Sequence, residues 1–260
     1  MPIELTIAGV VAEIVLNDPA KLNALNEAAI MALSQAYRDA ADAGVRALLL
    51  RGAGRAFCAG RDISAVDPTT DDAEGYLRDV VTPLLRQISA FPAPTFAIAS
   101  GACLGVGLGL LVATDVVYVA DTAKIGSPFA NLGATLDSGG HALFFERLGA
   151  HRTLDLIYTG ELLTGTEAVS LGLFSRMVPA EEILEFTRER VQRASAGATQ
   201  AFLASKELVR SLRDERVGFW MSVANENVAQ GALCATDDYA EGFAAFQQKR
   251  RPVFGRLPSR

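Results

Sequence analysis

A run of glycines in the middle of the chain separates two apolar segments, and it constrains the fold more than any other feature. The stretch from Phe96 to Ala113 is uncharged and long enough to be considered as a membrane span. Glycines interrupt it at positions 101, 105, 107 and 109, and prolines precede it at 92 and 94. We therefore predict a buried strand from Thr95 to Ser100, a tight turn, and a buried helix that begins near Val106.

The glycine turn predicts a place where the backbone can approach a ligand closely. The N–H groups at the start of the following helix would attract a negatively charged oxygen. A dinucleotide-binding loop is the alternative, but its G-x-G-x-x-G pattern would need a glycine at position 110, where Leu110 stands. The sequence therefore disfavours a dinucleotide-binding fold.

The composition disfavours several classes of partner and cofactor. The net charge of −6 argues against nucleic acid and anionic membranes as partners. Cys58, Cys103 and Cys234 are odd in number and widely spaced, as in a reduced protein without disulfides. The chain has only two histidines and no metal-ligand spacing, so we expect no metal site. The amino-terminal residues show no secretory signal, and we expect a cytoplasmic location.

The order of the predicted elements indicates an α/β protein. Strands are predicted at residues 3–7, 10–16, 45–51, 95–100 and 116–120, with helices at 26–43 and 76–89. Repeated strand-then-helix units predict a core with crossover connections. The polar, acidic segment 64–75 is predicted to be a mobile loop over a pocket. From Ser138 onward the pattern is helical, apart from a short strand within Leu173 to Val178.

Four segments of the chain resemble, in order and spacing, the motifs of the crotonase (enoyl-CoA hydratase/isomerase) superfamily. They are Leu16 to Leu25 (LNDPAKLNAL), Phe57 to Ile63 (FCAGRDI), Ser100 to Asp115, and Thr164 to Val178. The resemblance spans essentially the whole chain and implies an α/β fold, a spiral of ββα units. It assigns the spiral core, with its CoA and acyl site, to residues 1–195. Residues 196–260 then form a C-terminal helical trimerisation region and tail, in trimers that often pair into hexamers.

The same resemblance implies an acyl-CoA thioester as substrate. In the family, two backbone N–H groups stabilise the enolate of the thioester, and by position these are the amides of Arg61 and Val106. Contacts with CoA are implied at Lys21, Leu22, Ala59, Arg61, Asp62 and Ile63. Asp62 is also expected to orient the oxyanion loop. Phe254 matches a tail aromatic that covers the adenine from a neighbouring subunit, or else it belongs to a docked terminus. Because CoA is part of the substrate, no separate cofactor is expected.

Two positions depart from the pattern of the family's hydratases. Those enzymes carry two glutamates that add water across the double bond, and the corresponding residues here are Gly109 and Phe129. Hydration needs a base to activate water and an acid to protonate the α-carbon. The sequence therefore disfavours a hydratase.

Asp137 is the predicted general base. An aspartate at this spacing carries catalysis in the isomerase and dehalogenase branches, and the motifs are closest to those of ring-1,2-epoxyphenylacetyl-CoA isomerases. Its apolar neighbours Phe129, Leu136 and Leu143 would raise its pKa. Alternatively, Asp137 caps a helix that begins near Ser138, and the two roles can coexist.

Three classes of function stay open at this point. The leading one is an acyl-CoA isomerase that shifts a double bond or rearranges an epoxide through Asp137. A thioester hydrolase or dehalogenase would use the same carboxylate as a nucleophile. An acyl-CoA-binding protein that has lost catalysis would explain the missing glutamates, although the Asp-Ser-Gly-Gly segment argues against it. His141, one helical turn beyond Asp137, is more often a structural residue in such a place.

Overall fold

Two β-sheets lie at the centre of the computed structural model, which describes residues 2–197, 199–214 and 219–252. Within these residues the strands are β1 (Ile3–Ala8), β2 (Val11–Leu16), β3 (Ala47–Gly52), β4 (Thr95–Ala99), β5 (Ala102–Leu104), β6 (Val116–Ala120), β7 (Lys124–Gly126), β8 (Leu163–Thr164) and β9 (Arg176–Val178). The larger sheet has the order β1-β2-β3-β4-β6-β9. Its first pair is an antiparallel hairpin, as predicted, and the other pairs are parallel.

The smaller sheet has the order β5-β7-β8, and the chain enters it from the larger sheet. The chain leaves β4, turns at Gly101 and enters β5. Gly101 has a φ of +51°, and a Cβ there would lie 1.8 Å from the carbonyl oxygen of Arg55, so this turn requires glycine. The same passage from one sheet to the other recurs from β6 to β7. A strand in each sheet followed by a helix is the repeating ββα unit.

Ten α-helical segments are described. They are α1 (Glu27–Asp42), α2 (Ala73–Gly75), α3 (Thr82–Ser89), α4 (Val106–Ala113), α5 (Gly140–Thr159), α6 (Gly165–Ser170), α7 (Ile183–Ser195), α8 (Thr199–Asp214), α9 (Phe219–Cys234) and α10 (Asp237–Gln247). A π-helical segment, Tyr76–Val81, joins α2 to α3. Asn26 caps α1, because its side chain accepts a hydrogen bond from the N–H of Ala29 at 2.9 Å. Among the described helices, none combines the length and the apolar character that a bilayer crossing needs.

The differences from the sequence prediction are local. β5 was not predicted, because its three residues lie inside the glycine run that reads as a turn. β7 and β8 were also missed, because segments of three and two residues are too short to show alternation, and β8 interrupts the region after Ser138 that was expected to be helical apart from Leu173 to Val178. The helix predicted from Tyr76 begins at Ala73, within the segment expected to be a loop. The helical region expected from Ser138 begins at Gly140. The predicted domain boundary after residue 195 coincides with the end of α7, and the division into two domains stays a prediction.

α4 lies in the main core, as its uncharged sequence predicts. Leu108, Leu110 and Leu111 are buried and pack with Leu48 and Leu50 of β3 in one cluster. A fully buried leucine contributes about 1.5–3 kcal/mol relative to an exposed one. This packing holds the N-terminus of α4 in a fixed place.

Candidate active site

The N-terminus of α4 is the first component of the site. α4 begins at Val106, as predicted, directly after Gly105, whose φ of +49° and ψ of −121° suit glycine. A side chain at position 105 would also collide with Phe129, because its Cβ would lie 2.6 Å from the ring. The first N–H groups of a helix have no acceptor within the helix, so the Val106 amide can serve a ligand oxygen.

The segment that contains Arg61 is held by backbone hydrogen bonds on both sides. Earlier in it, Cys58 pairs with Cys103 of β5 as a parallel bridge. The carbonyl of Gly60 then accepts from the N–H of Leu25 at 2.8 Å, and the N–H of Asp62 donates to the carbonyl of Leu25 at 2.9 Å. Because both neighbours of Arg61 bond to Leu25, the N–H of Arg61 itself faces the other way.

Gly60 shows how close the two predicted oxyanion donors lie. It has a φ of +99°, and a Cβ added to it would lie 3.0 Å from the carbonyl oxygen of Leu104 and 3.7 Å from the nitrogen of Val106. Since Arg61 directly follows Gly60, the amides of Arg61 and Val106 meet in one part of the fold. The geometry is compatible with their predicted role, which stays a prediction.

Asp137 lies in a buried segment just before α5. The residue is 4% exposed, and Ser138 after it has a φ of +54°, which is uncommon for a residue other than glycine. The N-cap position of α5 is Gly139, and the carbonyl of Asp137 accepts from the N–H of Gly140 at 3.0 Å. Asp137 therefore does not occupy the N-cap position of α5, and the alternative that its carboxylate caps this helix stays a prediction.

The predicted apolar surroundings of Asp137 are present in part. Leu136 is buried beside it in the chain. Leu143 instead lines a separate cavity of about 640 Å³ under α8, and Asp137 is not among the residues that line this cavity. The predicted rise in the pKa of Asp137 stays a prediction.

Tyr76 connects Asp137 with Arg61. The guanidinium of Arg61 lies over the Tyr76 ring, 4.1 Å from its centroid. Burial raises the pKa of the Tyr76 phenol above its usual range, the positive charge of Arg61 opposes this, and the negative charge of Asp137 adds to it. The phenol is therefore neutral at physiological pH, and the three side chains share one electrostatic environment.

Of the two positions that carry glutamate in the family's hydratases, one has no room for a side chain and the other bears a phenylalanine. A Cβ on Gly109 would lie 2.5 Å from the Cβ of Ser138 and 3.0 Å from its carbonyl oxygen. Phe129 occupies the other position and covers Gly105. The residue after Asp137 thus fills the space in which a side chain at position 109 would have to begin.

The residues predicted to bind CoA lie together next to the oxyanion segment. The ammonium of Lys21 is 2.7 Å from the carboxylate of Asp62, which also accepts from the N–H and hydroxyl of Ser64. The N–H of Ala59 donates to the carbonyl of Leu22 at 3.0 Å. Ile63 follows Asp62 and is half-buried. Phe254 lies outside the described residues.

The buried thiols near the oxyanion segment are poor nucleophiles. Burial raises the pKa of the Cys58 thiol to about 12 and the pKa of the Cys103 thiol well above its usual value. Only the thiolate is reactive, so both groups are inert at neutral pH. Across the part of the chain that the structure describes, no group of three or more potential ligands could hold a metal ion.

Sequence reasoning missed two residues that hold the side chain of Arg61. Asp71 receives two hydrogen bonds from the guanidinium, at 2.9 and 2.7 Å, and a third from the hydroxyl of Tyr239 at 2.6 Å. In the sequence, Asp71 is one of several acidic residues in a segment that reads as a solvated loop. Tyr239 is 168 positions away in the chain. No local signal links the two.

Comparison with known proteins places the whole chain in one group. The family model described as "Enoyl-CoA hydratase/isomerase" matches residues 6–256. A Bacillus subtilis protein whose name assigns it to the enoyl-CoA hydratase/isomerases, YhaR, is 33% identical over 95% of this chain and 96% of its own. The 2,3-dehydroadipyl-CoA hydratase of Escherichia coli is 31% identical over 92% of each chain.

Solved structures agree with the sequence comparisons. An enoyl-CoA hydratase from Mycobacterium avium subsp. paratuberculosis has a TM-score of 0.86 at 28% identity, covering 98% of this chain and 99% of that one. A methylmalonyl-CoA decarboxylase in complex with 2-nitronate-propionyl-CoA has a TM-score of 0.85 at 27% identity, with 99% of each chain covered. The spiral fold predicted from the motifs is thereby confirmed.

Proposed function

Since this chain belongs to the enoyl-CoA hydratase/isomerase family, we propose that it is an acyl-CoA isomerase with Asp137 as its general base. Its substrate is an enoyl-CoA or ring-epoxide-CoA thioester. The amides of Arg61 and Val106 bind the thioester oxygen, and the residues around Lys21 and Asp62 bind CoA. No cofactor beyond the CoA of the substrate is required.

The observation that carries this proposal is the packing of Ser138 on Gly109. In a hydratase of this family a glutamate at position 109 would take part in adding water to the double bond. Here Ser138, the residue after Asp137, packs against that position, so the segment that bears the proposed base takes the space where that glutamate would begin. A single acid–base group can remove a proton and return it, which is what isomerisation requires.

The chemistry follows from this arrangement. The two amides stabilise the negative charge that develops on the thioester oxygen when a proton leaves the α- or γ-carbon, and one such donor is typically worth about 2.7–4 kcal/mol. Asp137 takes that proton as a carboxylate. The resulting acid returns it to a different carbon, or the dienolate rearranges first when the substrate is an epoxide. No water is consumed.

Hydration is the second candidate, because curated relatives are named hydratases. The lack of a carboxylate at positions 109 and 129, which hold Gly109 and Phe129, argues against hydration. Nucleophilic use of Asp137, in hydrolysis or dehalogenation, and loss of catalysis are the remaining alternatives. The catalytic alternatives give different products and a protein without catalysis gives none, so one assay separates them.

The test is incubation of the purified protein with 2-enoyl-, 3-enoyl-, aryl- and carboxyacyl-CoA thioesters, followed by chromatography and mass spectrometry. Isomerisation gives a product of unchanged mass and new retention time. Hydration adds water, hydrolysis releases free CoA, and decarboxylation loses carbon dioxide. Turnover of crotonyl-CoA to its hydrate at hundreds per second, on the scale of efficient enzymes, would overturn the proposal.

The assembly and location belong to the same proposal. We expect a homotrimer or a hexamer in the cytoplasm. Neither nucleic acid nor a membrane is an expected partner.

A further inference from the structure

The side chain of Arg61 is held far more firmly than a backbone donor requires. Asp71 accepts two parallel hydrogen bonds from the guanidinium, and the ring of Tyr76 lies against the face of the same group. Arg61 is 21% exposed and Asp71 only 4%. A buried ion pair is tolerated when further hydrogen bonds satisfy its atoms, and the hydroxyl of Tyr239 supplies one.

This network joins parts of the chain that are distant in sequence. Arg61 belongs to the oxyanion segment, Asp71 to the loop before α2, and Tyr239 to the first turn of α10. Burial raises the pKa of the Tyr239 phenol, and its hydrogen bond to Asp71 raises it further. Tyr239 therefore donates to Asp71 throughout the physiological pH range.

The next turn of α10 packs against a second segment of the chain. A Cβ on Gly242 would lie 2.3 Å from the backbone of Leu132, in the turn that leads to Asp137. Residues three apart on a helix lie on one face, so Tyr239 and Gly242 lie on the same face of α10. α10 thus contacts both Asp71, the partner of the Arg61 side chain, and the turn that precedes Asp137.

We propose that Asp71 and Tyr239 are positioning residues that hold the oxyanion segment, and with it the Arg61 N–H, in place through the side chain of Arg61. The backbone on either side of Arg61 is fixed by Leu25, and the guanidinium is fixed by Asp71 and Tyr239. The Leu25 bonds set the direction of the Arg61 N–H, and the anchored guanidinium keeps the segment from shifting away from the thioester oxygen. The contact of α10 with Asp71 therefore contributes to the position of this oxyanion donor. This inference rests on the proposed role of the Arg61 amide.

The test uses the full-length protein with Tyr239→Phe and Asp71→Asn. Tyr239→Phe removes one hydroxyl and keeps the ring that stacks on Phe243, with centroids 4.4 Å apart. The control is Glu241→Gln on the same helix, which breaks the 2.7 Å ion pair with Arg250, three residues beyond the end of α10. The probe is butyryl-CoA, a saturated thioester, labelled with ¹³C at its carbonyl. Infrared difference spectra of the bound probe report how strongly the carbonyl is polarised.

In the wild type we expect the carbonyl stretch of the bound probe to move to lower frequency. In Tyr239→Phe and Asp71→Asn it should move back toward the free value, while the dissociation constant of the probe changes little. With an active substrate, kcat should fall about 10- to 100-fold and KM should change little, because a small misplacement of a catalytic group costs up to about 100-fold. Glu241→Gln should match the wild type in each measurement.

The outcomes separate this inference from the function on which it rests. If the carbonyl stretch of the bound probe does not shift in the wild type, the assignment of the Arg61 and Val106 amides as oxyanion donors is wrong. A wild-type shift that both variants retain, with unchanged kcat, would overturn the positioning role alone. An equal loss in Glu241→Gln would mean that any disturbance of α10 has this effect, which also overturns it. If Asp71→Asn does not fold, Tyr239→Phe alone decides.

Discussion

Asp137 combines burial with a strained neighbour, and this places its carboxylate in a defined position. We predict that Asp137→Asn lowers turnover on an active substrate by about 10²- to 10⁴-fold, the usual contribution of a general base. Binding of the CoA thioester should change little, because the oxyanion amides and the CoA-binding residues are untouched. The measurements are steady-state kinetics, thioester affinity and thermal stability.

The control for this substitution is Asp155→Asn, the same change at an exposed position of α5. It should leave turnover unchanged. Full activity in a folded Asp137→Asn protein would remove Asp137 from the mechanism. Loss of folding together with activity would instead point to a structural role for the carboxylate.

The contact of Gly109 with Ser138 makes a second prediction at the scale of one residue. Gly109→Glu should not create hydration of crotonyl-CoA, and it should lower the free energy of unfolding by about 1–3 kcal/mol, as overpacking does. Adding Ser138→Gly removes the Cβ that collides and relieves the positive φ. The double variant should then recover stability relative to Gly109→Glu, as a denaturant double-mutant cycle would show.

Additive effects in that cycle would contradict the close contact of positions 109 and 138. Efficient hydration by Gly109→Glu alone would contradict the closed space at that position. Either result would weaken the isomerase proposal, because that proposal depends on the packing of Ser138 against Gly109.

At the scale of elements, Glu13 joins the larger sheet to α7. Its carboxylate accepts from Arg51 of β3 at 2.6 Å and from Arg188 of α7 at 3.0 Å. Burial acts to raise the pKa of Glu13, but the hydrogen bonds from Arg188 and Arg51 more than offset this, so its pKa lies below the usual value. A carboxylate whose pKa is lowered by folding contributes its full stabilisation when the pH is above its pKa in the unfolded chain, about 4.3 for glutamate. That stabilisation is lost as the pH falls from there through the lower pKa of the folded state.

We predict that Glu13→Gln lowers the free energy of unfolding by about 1 kcal/mol at pH 7, a modest figure because Arg188 is nearly half exposed. Urea unfolding at several pH values should show the difference from wild type shrinking below about pH 4. Asp79→Asn, at an exposed ion pair with Arg78, is the control and should have little effect. A difference that persists unchanged at low pH would show that charge is not its cause.

The elements also show how far the sequence alone leads. Local patterns predicted α4 and its first residue, because an uncharged run, a glycine turn and buried leucines all agree there. They missed β5, since three residues inside a glycine run carry no alternation. They also missed Asp71 and Tyr239, because their partnership depends on how α10 packs and nothing near either residue reports it. The start of α4 was therefore predictable from the sequence, and the side-chain network around Arg61 was not.

At the scale of the whole molecule, the surface of the monomer carries large apolar side chains that are exposed to solvent. Phe145 and Tyr158 of α5 are 61% and 74% exposed, and Met221 of α9 is 56% exposed. Exposed apolar side chains in such number mark interfaces when they are contiguous. A second copy of this chain is the expected occupant, consistent with the trimer that the motifs imply.

We predict that sedimentation at micromolar concentration shows a trimer or hexamer of the 27.5 kDa chain. Phe145→Glu combined with Tyr158→Glu should shift the protein toward the monomer, because burying two unpaired carboxylates is costly. Met31→Glu, at a residue of α1 that is 66% exposed, is the matched control and should leave assembly unchanged. A stable monomer in the wild type would contradict the predicted assembly. An unchanged oligomer in the double variant would move the interface away from α5, and the exposed residues of α8 and α9 would be tested next.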